Sequence, residues 1–236
     1  AWNGSLWIAV GQGTNTIAYS SDGMNWTAST SGNGLLNTSA NGIAWNGVKW
    51  IAVGQGTSNT IAYSTDGITW MQLSTIYPNS QGTMTSITVN SSGRFVAVGY
   101  NSQNKPLYTT STNGTTWTNP AIMNNTATAA PMNAVTVNSS GLFVAVGQNI
   151  SGVGRYSTST NGSTWSEPAA FNSFSTYSAF QSVAVSSTGT FVAVGYGGSS
   201  EPYYSYSANG STWATPAFMN GSSTAAEMYG VAVNSS

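Results

Sequence analysis

Cysteine and histidine are absent from this chain of 236 residues. Their absence excludes disulfides, thiolate zinc sites and nucleophiles activated through a Cys–His or Ser–His pair. Charge is scarce as well. Four basic and five acidic side chains leave a net charge of −1, and 4% of residues are charged, against about a quarter in an average soluble protein. Nucleic acid needs several Lys or Arg to neutralise its phosphates, and anionic lipid needs a basic cluster, so neither is an expected partner. No apolar run approaches the roughly 20 residues of a spanning helix. The chain begins at Ala1 with neither an initiator Met nor a signal peptide, and reads as a mature or excised piece.

What is present is a hydrophobic fraction of 40%, enough for a core, set among Ser, Thr, Asn and Gly. Solubility then rests on hydroxyls and amides. Such a neutral polar surface is expected outside the cell, or on a cell or virion surface.

The sequence repeats itself, and the repeat organises everything else. Ile/Val-Ala-Val-Gly occurs five times, ending at Gly11, Gly54, Gly99, Gly147 and Gly195. After each comes Ser-x-Asp/Asn-Gly-x-Asn/Thr-Trp: Ser20–Trp26, Ser64–Trp70, Ser111–Trp117, Ser159–Trp165 and Ser207–Trp213. An Ile/Val-x-Val or similar segment precedes four of the copies, as in Ile87-Thr88-Val89. Each unit reads as four strands. The second, such as Phe95–Val98, is apolar throughout and so buried on both faces. Asp-Gly or Asn-Gly then turns the third strand into a fourth that holds the Trp. Ala52, Ala97, Ala145 and Ala193 let neighbouring sheets approach.

Four strands per unit of this length imply an all-β fold, a single β-propeller domain over 1–236 with about five four-stranded blades. The units run approximately 1–41, 42–85, 86–133, 134–181 and 182–228. The closing strand, 229–236, is expected to complete the ring by pairing of the two termini. The alternatives are a solenoid, or a piece of a longer array.

The repeated hairpin string resembles the Asp-box, or bacterial neuraminidase repeat, of sialidase-like propellers. Ser64-Thr65-Asp66-Gly67-Ile68-Thr69-Trp70 is the best copy. It lacks one residue between Asp and Gly, and Asn113, Asn161 and Asn209 replace the Asp elsewhere. The resemblance implies a hairpin brace on the face away from an active site. It also makes glycoside cleavage a function to weigh. That activity would need an arginine triad, and the chain has only Arg94 and Arg155. Outside the hairpins the carboxylates are Glu167, expected to face solvent, and Glu201 and Glu227, on loops that emerge on one face. These last two form the best pair for a degenerate glycosidase. No catalytic residue, cofactor or metal site is expected.

The expected function is a non-catalytic structural, display or recognition module. Partners are glycans, other surface proteins or copies of the chain itself. The candidate binding residues follow each Val-Gly: Gln12, Gln55, Tyr100, Gln148 and Tyr196. Amides and phenols both donate and accept, and aromatic rings pack on sugar faces, so a lectin-like propeller is the alternative. Trp2, Trp7, Trp45 and Trp50, confined to the first two units, serve either as core filling or as an exposed patch.

Overall fold

The computed structural model describes residues 1–57, 59–73, 82–126, 129–173, 178–219 and 226–233. The chain folds into five antiparallel sheets, the blades of a β-propeller fold. Blade 1 has three strands, β1 (Trp7–Val10), β2 (Ile17–Ser20) and β3 (Thr27–Ala28). Blade 2 runs β4 (Ser39–Trp45), β5 (Trp50–Gln55), β6 (Ile61–Ser64) and β7 (Met71–Gln72). Blade 3 holds β8 (Gly82–Val89), β9 (Phe95–Asn101), β10 (Pro106–Ser111) and β11 (Ala121–Ile122). Blade 4 holds β12 (Met132–Val137), β13 (Phe143–Gln148), β14 (Gly154–Ser159) and β15 (Ala169–Ala170). Blade 5 holds β16 (Ser178–Val185), β17 (Phe191–Gly197), β18 (Pro202–Ser207) and β19 (Ala217–Phe218). Two compact units emerge, residues 1–102 with 108–121, and residues 103–107 with 122–236.

The second strands are the most buried, as their unbroken apolar runs require. Ala52, Ala97, Ala145 and Ala193 are fully enclosed. The polar composition is accommodated by internal bonding. Buried hydroxyls of Thr109, Ser157 and Ser205 donate to the carbonyls of Thr118, Ser166 and Ala214 at 2.7 Å, which spares them the cost of an unpaired buried group.

Four first strands begin upstream of the expected unit boundaries, which fall inside them. Each carries a bulge: between Ala40 and Gly42, Met84 and Ser86, Met132 and Ala134, and Phe180 and Ser182. A bulge breaks the period of two, so alternation reveals only the half of the strand beyond it. Opposite the bulge stands the glycine of Val-Gly. A Cβ at Gly54, Gly99, Gly147 or Gly195 would lie 1.9–2.1 Å from the carbonyl oxygen of Ser39, Thr83, Pro131 or Ala179. Gly11, in the blade without a full first strand, meets nothing within 4 Å.

The hairpins form as the sequence predicts. Gly23, Gly67, Gly114, Gly162 and Gly210 adopt φ of 73–77°. In each, the Ser hydroxyl accepts from the glycine N–H at 2.8–2.9 Å. The Asp or Asn oxygen accepts from the next two amides but one, as Asp66 does from Ile68 and Thr69. The Trp lies at the end of this turn, and the fourth strand comes later, a correction to its expected place. Its indole Nε1 donates back to the hairpin glycine carbonyl at 3.0–3.3 Å. That bond folds the side chain over the turn and keeps the Trp off the ladder.

Three further features concern connections. A six-residue helix, α1 (Thr30–Leu35), follows blade 1, capped by the Ser29 hydroxyl, which accepts from Gly32 N–H. Glu167 is exposed, as expected, and there accepts from Asn124 Nδ2 at 3.1 Å and from the Thr126 hydroxyl. Finally, residues 229–233 of the expected closing strand form no strand, and 234–236 lie outside the described residues. The Val231 amide donates to Ser182 Oγ at 3.3 Å instead, and Tyr229 and Val233 stay exposed. At the N-terminus Trp2 forms an isolated bridge with Trp7, and Ile8 N–H donates to the Ala1 carbonyl at 2.8 Å.

Two predictions follow from these contacts. Gly99→Ala drives its Cβ into a backbone oxygen, and should cost about 3 kcal/mol or more, whereas Gly11→Ala should leave the melting temperature nearly unchanged. Calorimetry of the pair checks this. The carboxylates of Asp22 and Asp66 are held below the ordinary range by amide and hydroxyl hydrogen bonds, led by Asn25 N–H at Asp22 and, against the opposing effect of burial, by Thr69 N–H at Asp66. Their contribution is fully present above the unfolded-state value of about 3.9 and is lost as pH falls through the depressed folded values. The double variant Asp22→Asn/Asp66→Asn, with the residue blades 3 to 5 already use, should therefore unfold less steeply below about pH 4 in an acid titration followed by circular dichroism.

Candidate functional site

In blades 2 to 5 the residue after Val-Gly is placed by the bulge contact. The glycine pins the end of the second strand against the first, and the next residue emerges at the rim of the blade. Gln55 pairs with Ser39, Tyr100 with Thr83 and Tyr196 with Ala179, while Gln148 N–H donates to the Pro131 carbonyl at 3.2 Å. Gln12 forms an isolated bridge, also with Ser39.

In the first unit this brings Gln12 and Gln55 to either side of Ser39. With one strand spacing on each side, their backbones stand roughly 10 Å apart. Gln12 is exposed, Gln55 and Tyr100 half-buried. Ser39 gives no periodic signal, so sequence reading passed over it.

In the second unit, Gln148 is half-buried, and its Oε1 is enclosed without a hydrogen-bond partner among the described residues. Tyr196 belongs to a larger cluster. Its ring centroid lies 5.9 Å from that of Tyr229. Tyr229 O–H donates to Glu227, and Ser200 Oγ donates to the other Glu227 oxygen at 2.8 Å. Glu201 accepts from Ser199 N–H at 3.0 Å, and Ala226 N–H donates to the Ser200 carbonyl at 2.6 Å. Glu201 and Glu227 thus occupy adjoining segments, as the loop reading expected. Tyr203 packs against Phe218, with tilted rings and centroids 4.6 Å apart.

The electrostatics follow from these bonds. Donation from Tyr229 and Ser200 holds the Glu227 carboxyl below its usual range. The same bond pushes the Tyr229 phenol up to about 12. Burial, then the Glu201 charge, raises Tyr203. The cluster presents two phenol rings and an ionised carboxylate, able to accept from hydroxyls, amides or a cation. Among the described residues no group of three or more Asp or Glu could hold a metal ion. Arg94 lines an open groove with Thr110 and Trp117.

No family model matches the chain, and no curated protein is similar to it in sequence. Solved structures are similar in fold. YCF48, solved bound to a D1 peptide, superposes with a TM-score of 0.61 at 19% identity, over 93% of this chain and 66% of its own. An ulvan lyase of polysaccharide lyase family PL25 gives 0.56 at 13% identity, over 89% and 68%. The intramolecular trans-sialidase from Ruminococcus gnavus reaches 0.48 at 18% identity, over 62% and 35%, too little to bear on chemistry. The chain therefore spans about two thirds of YCF48's length and about a third of the sialidase's.

If Glu227 sets the Tyr229 phenol, Glu227→Gln should return it toward the ordinary value near 10. A pH titration of ring-carbon shifts in 13C-tyrosine-labelled protein, with Tyr229→Phe to assign the signal, reads this directly. A Tyr229 titration unchanged by the substitution would break the link.

Proposed function

We propose that this chain is a non-catalytic recognition and display module of an extracellular or particle surface. Gln12, Gln55 and Tyr100 in the first unit, and Gln148 and Tyr196 in the second, would contact its partner. The observation that carries the reading is the state of Glu227. A general acid at neutral pH needs a raised carboxyl pKa, and here two hydrogen bonds press it the other way. The hairpin carboxylates of Asp22 and Asp66 are likewise committed to their own turns. With only two arginines, the triad of the sialidase-like family has no counterpart.

The hairpins are read as shortened Asp-boxes in a bracing role. Their hydrogen bonds, the same with Asp or Asn, support that role. A protein partner is supported by the fold likeness to YCF48, which was solved with a bound peptide. A glycan is the second reading, favoured by amides and phenols at equivalent rim positions and by the Tyr196–Tyr229 pair beside a carboxylate.

A glycan array, read beside an assay for released reducing sugar, separates these. The account expects weak, multivalent binding, reduced at least tenfold by Gln55→Ala and by Tyr196→Ala, with no sugar released. Cleavage that disappears in Glu227→Gln would overturn the non-catalytic reading. Binding indifferent to both rim substitutions would overturn the rim assignment.

A further inference from the structure

Asparagine is a thermolabile residue, and most so before glycine, where no side chain hinders attack on its amide by the next backbone nitrogen. Asn-Gly occurs eight times in this chain. Asn220-Gly221 lies outside the described residues. Two more are tied into regular structure. Asn33, in α1, accepts from the Thr16 and Ile17 amides at 2.8 and 2.7 Å, and Asn41, in β4, donates to the Met84 carbonyl at 3.0 Å. The remaining five share one local geometry.

In the hairpins of blades 3 to 5 the Asn Oδ1 accepts from the second and third amides beyond it. Asn113 accepts from Thr115 and Thr116 at 2.9 and 2.8 Å, and Asn161 and Asn209 repeat the pattern. Asn46, in the turn between β4 and β5, does the same with Val48 and Lys49 at 3.0 and 2.8 Å. A side chain bonded in this way curls over the peptide link to its own glycine. Cγ is left facing the glycine nitrogen.

The sites part at that nitrogen. Gly114, Gly162 and Gly210 N–H donate to the hydroxyls of Ser111, Ser159 and Ser207 at 2.8 Å, and all three glycines are buried. Gly47 is exposed, and its N–H has no hydrogen-bond partner among the described residues. A Cβ built on it would meet nothing within 4 Å. Exposure of the asparagine itself would rank the sites the other way: Asn113, Asn161 and Asn209 are exposed, and Asn46 is half-buried.

We propose that Asn46-Gly47 is a self-modification site that deamidates in the folded protein, and that the hairpin serines keep the three like dipeptides intact. Hydroxide removes the Gly47 amide proton, and the nitrogen attacks Asn46 Cγ. The new C–N bond closes a five-membered succinimide. The Cγ–Nδ2 bond breaks, and Nδ2 takes a proton from water and leaves as ammonia. Water then opens the ring. Breaking the bond to Cγ gives Asp, and breaking the bond to the main-chain carbonyl carbon gives isoAsp. In the hairpins the proton is held by a serine hydroxyl at a buried nitrogen, which suppresses the first step. Either product puts a carboxylate on the turn that carries Lys49 and takes the net charge from −1 to −2. This turn opens β5 and Gln55 ends it, so the rim reading and this one can fail separately.

The test ages the protein in mildly alkaline buffer, with circular dichroism confirming that it stays folded. Fragmentation mass spectrometry of a peptic digest, made in acid, then reads conversion of amide to carboxylate at each site. Asn46 should react at least tenfold faster than Asn113, Asn161 or Asn209, and in urea the four rates should converge. Asn3, bonded alike to the Ser5 and Leu6 amides, should follow Asn46. Ser111→Ala should speed Asn113 at least tenfold and leave Asn161 unchanged, whereas Ser111→Thr, which keeps a hydroxyl, should stay slow. If Ser111→Ala proves unfolded, Ser159→Ala takes its place, read at Asn161 against Asn113. Asn46 no faster than the hairpin asparagines in the folded chain would overturn the proposal. So would a hairpin asparagine indifferent to loss of its serine hydroxyl, or a ranking that persists in urea.

Discussion

The close approach of one glycine to one carbonyl oxygen organises each complete blade. Where the first strand bulges, its backbone leans onto the second strand, and a hydrogen is all that fits at Gly54, Gly99, Gly147 and Gly195. This contact links three levels of the molecule. It accounts for the recurrence of Val-Gly, since any side chain would force the strands apart. It sets the register of the second strand, whose apolar run is almost wholly buried. It also decides which residue stands at the rim, because the second strand ends one or two residues beyond the pinned position. Structure and candidate function meet at adjacent residues.

A molecule with so little charge must satisfy its polar groups from within. The hairpins do so through a serine hydroxyl, an Asp or Asn oxygen and an indole N–H that together occupy the amides and a carbonyl of the turn. Because the Asx oxygen does the accepting, the charge is dispensable, which is why Asn113, Asn161 and Asn209 hold their turns with the same partners at nearly the same distances. Third-strand hydroxyls do similar work where the chain steps away from the ladder after the Trp. The outer surface is left neutral. Recognition by such a surface depends on shape, hydrogen bonding and aromatic contact rather than on steering by charge.

Much of this architecture is legible in the sequence because it repeats. The period, the apolar second strands and the Asn-Gly or Asp-Gly hairpins each correspond to a local physical requirement, and each appears where expected. The misplacements have physical causes as well. The bulges hid the first halves of β4, β8, β12 and β16 by interrupting alternation. The indole-to-glycine bond drew each Trp off the fourth strand, which forms two residues long, in blades 3 to 5 at Ala121, Ala169 and Ala217. The segment from Tyr229 carries the pattern of a first strand, yet its described part forms none: pattern states what a segment can pair as, and a strand also needs an edge beside it. The pairing of Gln12 and Gln55 about Ser39, and the Tyr229–Glu227 bond, depend on contacts between distant segments and leave no periodic trace. The tryptophans of the first two units divide between both expected uses, Trp50 in the core and Trp2 and Trp7 at the surface.

The central claim is that the glycine–bulge contact locks the second strands of the complete blades, and that blade 1 lacks this lock. Native-state amide hydrogen exchange tests it most directly. The account predicts that β5, β9, β13 and β17 exchange slowest and as matched sets, with protection running through Gly54, Gly99, Gly147 and Gly195, and that β1 exchanges markedly faster. Protection of β1 equal to that of the other four, or fast exchange at those glycines, would contradict it.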